Sequence, residues 1–178
     1  MSSYRRAHEG GASYFFTVVT HRRQPILTSP GLLDALRDAF RYVQQVRPFK
    51  LEAIVILPDH LHAIWTLPPG DAEFGARWGM IKRHASKAAG RGIAAPASDS
   101  MRVRGEFGIW QRRFWEHLIR NDEDYARHMD YIHFNPVKHG HAERPADWQH
   151  SSFRKCVEQG IYSADWASGS DIEGEFGE

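Results

Sequence analysis

His60 and His62 stand two residues apart, directly after the apolar run Leu51 to Leu57. In an extended strand alternate side chains share a face, so both rings project the same way. Two imidazoles so placed are half of a metal site, and a sheet face cannot bury them without partners. The simpler reading is a pair of surface or hydrogen-bonded histidines. About seventy residues downstream, Tyr131 and Asn135 stand four apart, a spacing that on a helix puts phenol and amide on one face, one turn apart. A hard cation such as Mg²⁺ or Mn²⁺, held by His60, His62 and the Asn135 amide oxygen, would leave positions open for phosphate oxygens, with Tyr131 at hand as nucleophile. A phenol titrates near pH ~10, so its attack on phosphorus needs the metal and nearby cations to stabilise the developing charge. A helical tyrosine is otherwise an amphipathic core residue.

The elements that would position these groups can be read from pattern. Ser13 to Thr20 is rich in β-branched and aromatic residues and predicts a strand. Ser29 and Pro30 open a helix with apolar residues at Leu32, Leu33, Leu36, Ala39, Phe40 and Val43, closed by Pro48. Phe49 to Leu57 and Leu61 to Leu67 predict a hairpin broken at Pro58-Asp59, with the histidine pair at its second strand's start. Asp71 to Ala89 reads as a second helix, residues 90–108 as a long loop, and Ile109 to Ile119 as a fourth strand. Asn121 caps a last helix from Asp122 to Asn135, which Pro136 and Gly140 end. This order predicts an α+β fold of ferredoxin-like, RRM-like type: an antiparallel sheet with helices mainly on one face.

The 178 residues fit one domain, expected over 1–150, with an acidic C-terminal tail over 151–178. The near-neutral net charge of +1 conceals an asymmetry, because the six acids after Lys155 face no Lys or Arg there. Residues 1–155 carry 23 bases against 16 acids, a surplus that favours a polyanionic partner. The tail is either a flexible solubilising end or a competitor for that basic surface. No apolar run is long enough to span a membrane and the first residues do not resemble a secretion signal, so a cytoplasmic protein with no membrane association is expected. Cys156 is the single cysteine, which excludes a thiolate zinc cluster and leaves His, carboxylate and amide groups as metal ligands.

Pro58-Asp59-His60-Leu61-His62, continued by Ala-Ile-Trp-Thr-Leu-Pro to Pro68, resembles the HUH motif of the single-tyrosine HUH transposases. More narrowly, the blocks Ser3 to Arg6, Trp110 to His117 and Asp130 to Gly140 are similar to the REP-associated tyrosine transposases, linked to repetitive extragenic palindromes. That resemblance runs from Tyr4 to about Trp166 and implies an HUH nuclease fold and a metal-dependent endonuclease and strand transferase acting on hairpin-containing single-stranded DNA. It implies that Tyr131 attacks the scissile phosphate to give a 5′-phosphotyrosine link and a free 3′-hydroxyl. His60 and His62 carry over as metal ligands. Asn135 stands where insertion-sequence relatives have glutamine; it is one methylene shorter, and water or Asp59 are alternatives for the third position. A monomer is expected, with Tyr131 reaching the histidines of its own chain. The alternative function is a sequence-specific hairpin-binding protein with weak or lost catalysis. A zinc hydrolase is disfavoured, because Ala63-Ile64-Trp65 follows where further ligands would be expected.

For the DNA itself, Arg5, Arg6, Arg22, Arg23, Lys82, Arg83, Lys87, Arg112 and Arg113 are candidate phosphate contacts, and Trp110 a platform for an unpaired base. Trp78 and Trp115 read as core. His84, His117, His133 and His139 are candidates to protonate a leaving group, each with a structural role as the simpler reading.

Overall fold

The computed structural model describes residues 10–90, 92–94 and 98–167. Four strands, β1 (Ser13–Val19), β2 (Lys50–Ile56), β3 (His60–Thr66) and β4 (Trp115–Leu118), pair antiparallel in the order β2-β3-β1-β4. The fold is α+β, as the element order predicts. Alternation along the strands gives the sheet two different faces. Tyr14, Phe16, Val18, Leu61, Ala63 and Trp65 point to one side, where they pack with α1 (Pro30–Val46) and α2 (Phe74–Ala89). Aromatic stacking organises this layer, with Trp65 and Trp78 4.3 Å apart at 21°. Phe15, Ala53, Val55 and Ile64 point to the other side, where α4 (Asp122–Lys138) supplies Met129, Tyr131 and Ile132. Two short helices, α3 (Asp99–Val103) and α5 (Phe153–Glu158), stand where the sequence pattern predicts a long loop and a polar tail. Of the three long helices, α1 and α2 share one face and α4 roofs the other.

Four further local features differ from the sequence pattern, each for a physical reason. The fourth strand is only Trp115–Leu118, because between the pairs Thr17–Trp115 and Thr20–Trp110 three steps on one side face five on the other. The two extra residues bulge outward and leave Arg112 and Arg113 exposed. Helix α2 starts at Phe74 rather than Asp71, since the Asp71 carboxylate accepts from the Glu73 N–H and from Arg77. Helix α4 runs past Pro136 to Lys138. Its stop is set by Gly140 at φ 70°, with His141 N–H bonding the Pro136 carbonyl and Gly140 N–H the Val137 carbonyl, the Schellman arrangement. Residues 148–152, expected to straddle the start of the tail, instead lie along the edge of β2. Ser152 N–H bonds the Ile54 carbonyl, Ile56 N–H the His150 carbonyl, and Trp148 Nε1–H the Ile56 carbonyl. The edge strand is covered in this way, and Phe153 and Cys156 behind it are buried.

Arg77 staples the α1/α2 layer together. Its buried guanidinium makes two hydrogen bonds to Asp71, at 2.9 and 2.7 Å, and also donates to the carbonyls of Arg47 and Pro48 at the end of α1. Arg77 holds the Asp71 carboxyl down at about 2, below its ordinary 3.8. A depressed carboxyl stabilises the fold above its unfolded pKa and loses that contribution as pH falls from about 4 towards 2. Arg77→Met is expected to cost about 3 kcal/mol in urea denaturation at pH 7, with a smaller difference from wild type at pH ~2.5.

Candidate active site

The β1–β3 register sets Val19 opposite His60 and Thr17 opposite His62. Both imidazoles lie on the α4 side of the sheet, buried, with ring centroids 4.9 Å apart at 78°. His60 Nδ1–H donates to Asp59 Oδ1 at 2.7 Å, and His62 Nδ1 sits 2.9 Å from Thr17 Oγ1. Each ring is therefore oriented through Nδ1, and the buried Nε2 atom is the one left to face outward from that bond. No described residue hydrogen-bonds His60 Nε2. Burial, and then the neighbouring His60, His139 and Lys138, hold His62 well below its usual pKa, so the ring is neutral at physiological pH. Burial pushes the Asp59 carboxyl up, but hydrogen bonds and charge from His60 and Arg23 outweigh it and lower the net value. Arg23 Nη1 reaches Asp59 Oδ2 at 3.1 Å, which engages both carboxylate oxygens.

Helix α4 runs along the sheet towards the His60 end. His128 lies over Phe15, with centroids 4.7 Å apart, Tyr131 over His62 at 5.2 Å, and His139, just past the helix, beside His60 at 5.1 Å. Asn135 is one turn on from Tyr131 and one before His139, with its Oδ1 buried. The Tyr131 phenol is 2% exposed and accepts a hydrogen bond from Lys138 Nζ at 3.0 Å. Burial lowers the Lys138 pKa, and drives His139 down to about 4 with help from the charges of His60 and Lys138. Tyr131, His60 and His62 of one chain thus meet in a single site, with Asn135 on the same helix.

Other candidates fall elsewhere. His133 is in the core, bonded through Nε2 to Ser152 Oγ at 3.0 Å, and burial lowers it to about 4. His84 stacks on Tyr42 at 4.8 Å, across the sheet from the histidine pair. Trp78 is core, as expected. Arg22 and Arg23 occupy a 3-10 turn at residues 21–23, and Lys87, Arg112 and Arg113 are exposed. A cavity of about 430 Å³ between α2 and residues 104–112 is lined by Lys82, Arg83, Arg104, Trp110 and Arg112. Gln24 Nε2 donates to the Gly108 carbonyl and His21 N–H to that of Ile109, so this basic segment is tied to the turn whose Arg23 holds Asp59. Arg5 and Arg6 lie outside the described residues.

His117, Asp124 and His128 form a second cluster whose ligand atoms lie within 4.8 Å of one another and could hold a metal ion. Their present bonds also close a protein network. His117 Nε2–H donates to Asp124 Oδ2 at 2.8 Å, that oxygen also accepts from Arg120 N–H, and His128 Nδ1–H donates to the Asp124 carbonyl. The cluster fastens β4 to the first turns of α4.

The site missed by sequence reasoning consists of supporting groups: Thr17, and Lys138, which a helix ended at Asn135 could not present. The signal for Lys138 was its spacing of seven from Tyr131, two helical turns.

No family model matches the chain. A REP-associated tyrosine transposase of Escherichia coli K12 is 44% identical over 168 residues, 94% of this chain and 92% of that protein. A relative from Haemophilus influenzae Rd, provisionally given the same name, is 41% identical over 97% of both chains. A solved structure of a REP-associated tyrosine transposase bound to a REP hairpin superposes with a TM-score of 0.81 at 42% identity, covering 98% of this chain and 95% of that one. Fold and likeness together define an enzyme of HUH type, a tyrosine transposase. The chain belongs to the REP-associated tyrosine transposases. Among the described residues no helix is long and apolar enough to cross a membrane.

Asp124→Ala is expected to lower stability by about 2 kcal/mol in urea denaturation, since it removes charge-assisted bonds to His117 and Arg120. With the cluster held by hydrogen bonds alone, EDTA changes the stability of wild type and of Asp124→Ala by the same amount; a larger loss in wild type would reveal a metal bound at the cluster.

Proposed function

We propose that the protein is a metal-dependent single-stranded DNA endonuclease and strand transferase acting on hairpin-forming repetitive extragenic palindromes. The observation that carries this reading is the Tyr131 ring 5.2 Å from His62, itself 4.9 Å from His60, within one chain. The substrate class follows from the relative bound to a REP hairpin and from the basic surplus of residues 1–155.

The residues fit a divalent cation. His60 Nε2 is buried without a hydrogen-bond partner, and Nδ1 is fixed by Asp59, the carboxylate–histidine support seen behind metal ligands. His60, His62 and the Asn135 amide oxygen would hold the ion. When bound, Mg²⁺ or Mn²⁺ supplies Lewis-acid polarisation of the scissile phosphate. Tyr131 Oη forms a bond to phosphorus as the P–O3′ bond breaks, giving a 5′-phosphotyrosine and, after protonation from solvent, a free 3′-hydroxyl. Attack by a 3′-hydroxyl on the phosphotyrosine reverses the step and joins strands. Arg22, Arg23, Lys82, Arg83, Lys87, Arg112 and Arg113, with Arg5 and Arg6, would follow the phosphates, and Trp110 would stack on an unpaired base. Tyr131 stands beside His62 of its own chain, which supports a monomer, and the protein would act in the cytoplasm.

Incubation with labelled hairpin DNA and Mn²⁺ is expected to yield a covalent adduct on denaturing gels. Tyr131→Phe abolishes it, and His60→Ala with His62→Ala abolishes it while hairpin binding persists. A hairpin shifted on native gels with no adduct from wild type identifies a binding protein instead. Asp59→Asn is expected to weaken Mn²⁺ affinity roughly 10–100-fold by calorimetry without unfolding the chain.

A further inference from the structure

Lys138 is placed by two separate contacts. Its Nζ donates to Tyr131 Oη at 3.0 Å and stands 4.8 Å from the centre of the same ring. A lysine at the end of a helix normally turns to water, where its hydration is strong and its carbonyl neighbours welcome the charge. Here the side chain folds back two turns along α4 to reach a buried phenol. The reach depends on the last turn of α4 continuing through Pro136 until Gly140 ends it.

We propose that Lys138 is a catalytic residue that stabilises negative charge on Tyr131 Oη in both cleavage and joining; this rests on the reading of Tyr131 as nucleophile. In cleavage the phenol loses its proton to water, and the ammonium, already donating to a lone pair of Oη, favours the phenolate as the O–P bond forms and the P–O3′ bond breaks. In joining, a 3′-hydroxyl attacks phosphorus and loses its proton to solvent. The Tyr131 O–P bond breaks, and the departing phenolate meets the same ammonium before water reprotonates it. Lys138 keeps its proton throughout, so no further reactant is needed. Partial burial removes water from the ammonium and makes its charge more effective at the Tyr131 oxygen it contacts.

The test is single-turnover adduct formation and strand rejoining by Lys138→Met and Lys138→Arg, alongside hairpin affinity measured over a range of salt. Methionine keeps the apolar stem and helix propensity of lysine without its ammonium group. The expected result is a fall of about 100-fold in both rates for the Met variant, of similar size in each direction, with substantial recovery in the Arg variant. Hairpin affinity and its salt dependence stay as in wild type. Unchanged rates in Lys138→Met would overturn the proposal. So would a weaker, less salt-dependent affinity that accounts for the whole loss, since that marks a phosphate-tracking lysine. Should the Met variant fail to fold by circular dichroism, Arg decides: a folded Lys138→Arg with no recovered chemistry overturns the assignment. A wild type that forms no Tyr131-dependent adduct removes the nucleophile and the lysine's role with it, a result distinct from all of these.

Discussion

The pairing of β1 with β3 is the interaction on which the site depends, because it brings Thr17 beside His62 and starts β3 where Asp59 can hold His60. Imidazoles in a sheet face roofed by a helix must have their polar atoms satisfied or used, and Thr17 of β1 and Asp59 of the turn between β2 and β3 do this through Nδ1. A slip of one residue would send both rings to the opposite face, among Trp65, Phe16 and Trp78. The register is fixed by that aromatic layer. The face devoid of chemistry thereby determines the geometry of the one that carries it.

This division separates stability from reaction. Arg77 and the stacked tryptophans bind α1 and α2 to one side of the sheet, while the histidines, Tyr131 and Asn135 lie on the other. Substitutions in the first group act on the fold as a whole, and those in the second act locally. The basic turn at residues 21–23 bridges the two, with Arg23 on Asp59 and its neighbours bonded to the 108–109 backbone. A cation at the protein surface is in this way linked to the residue that orients a histidine.

Much of this was legible in the sequence. The two-residue spacing of His60 and His62 fixed their common face, the four-residue spacing of Tyr131 and Asn135 theirs, and the Ser29-Pro30 start gave α1. The remainder depended on information that local pattern does not carry. Pro136 is a helix breaker by propensity, yet near the C-terminal end it removes one backbone bond and the chain keeps its helical path, so Lys138 was hidden. Thr17 is an ordinary strand threonine until the register names its partner. The bulge before Trp115 appears only when the two strands are counted against each other, and the polar run at 148–152 becomes structure only because β2 offers it an open edge.

Helix α4 holds His128, Tyr131, Asn135 and Lys138 on one rigid rod, and the phase of that rod is set by number of residues alone. Each added or deleted residue turns everything beyond it by about 100°. An indel between Tyr131 and Lys138 would therefore swing the ammonium away from the phenol however conservative its chemistry, whereas many single replacements on the solvent side of the same helix leave the alignment intact. For this stretch the protected quantity is length: the helix serves as a ruler, and its graduations are what the chemistry reads.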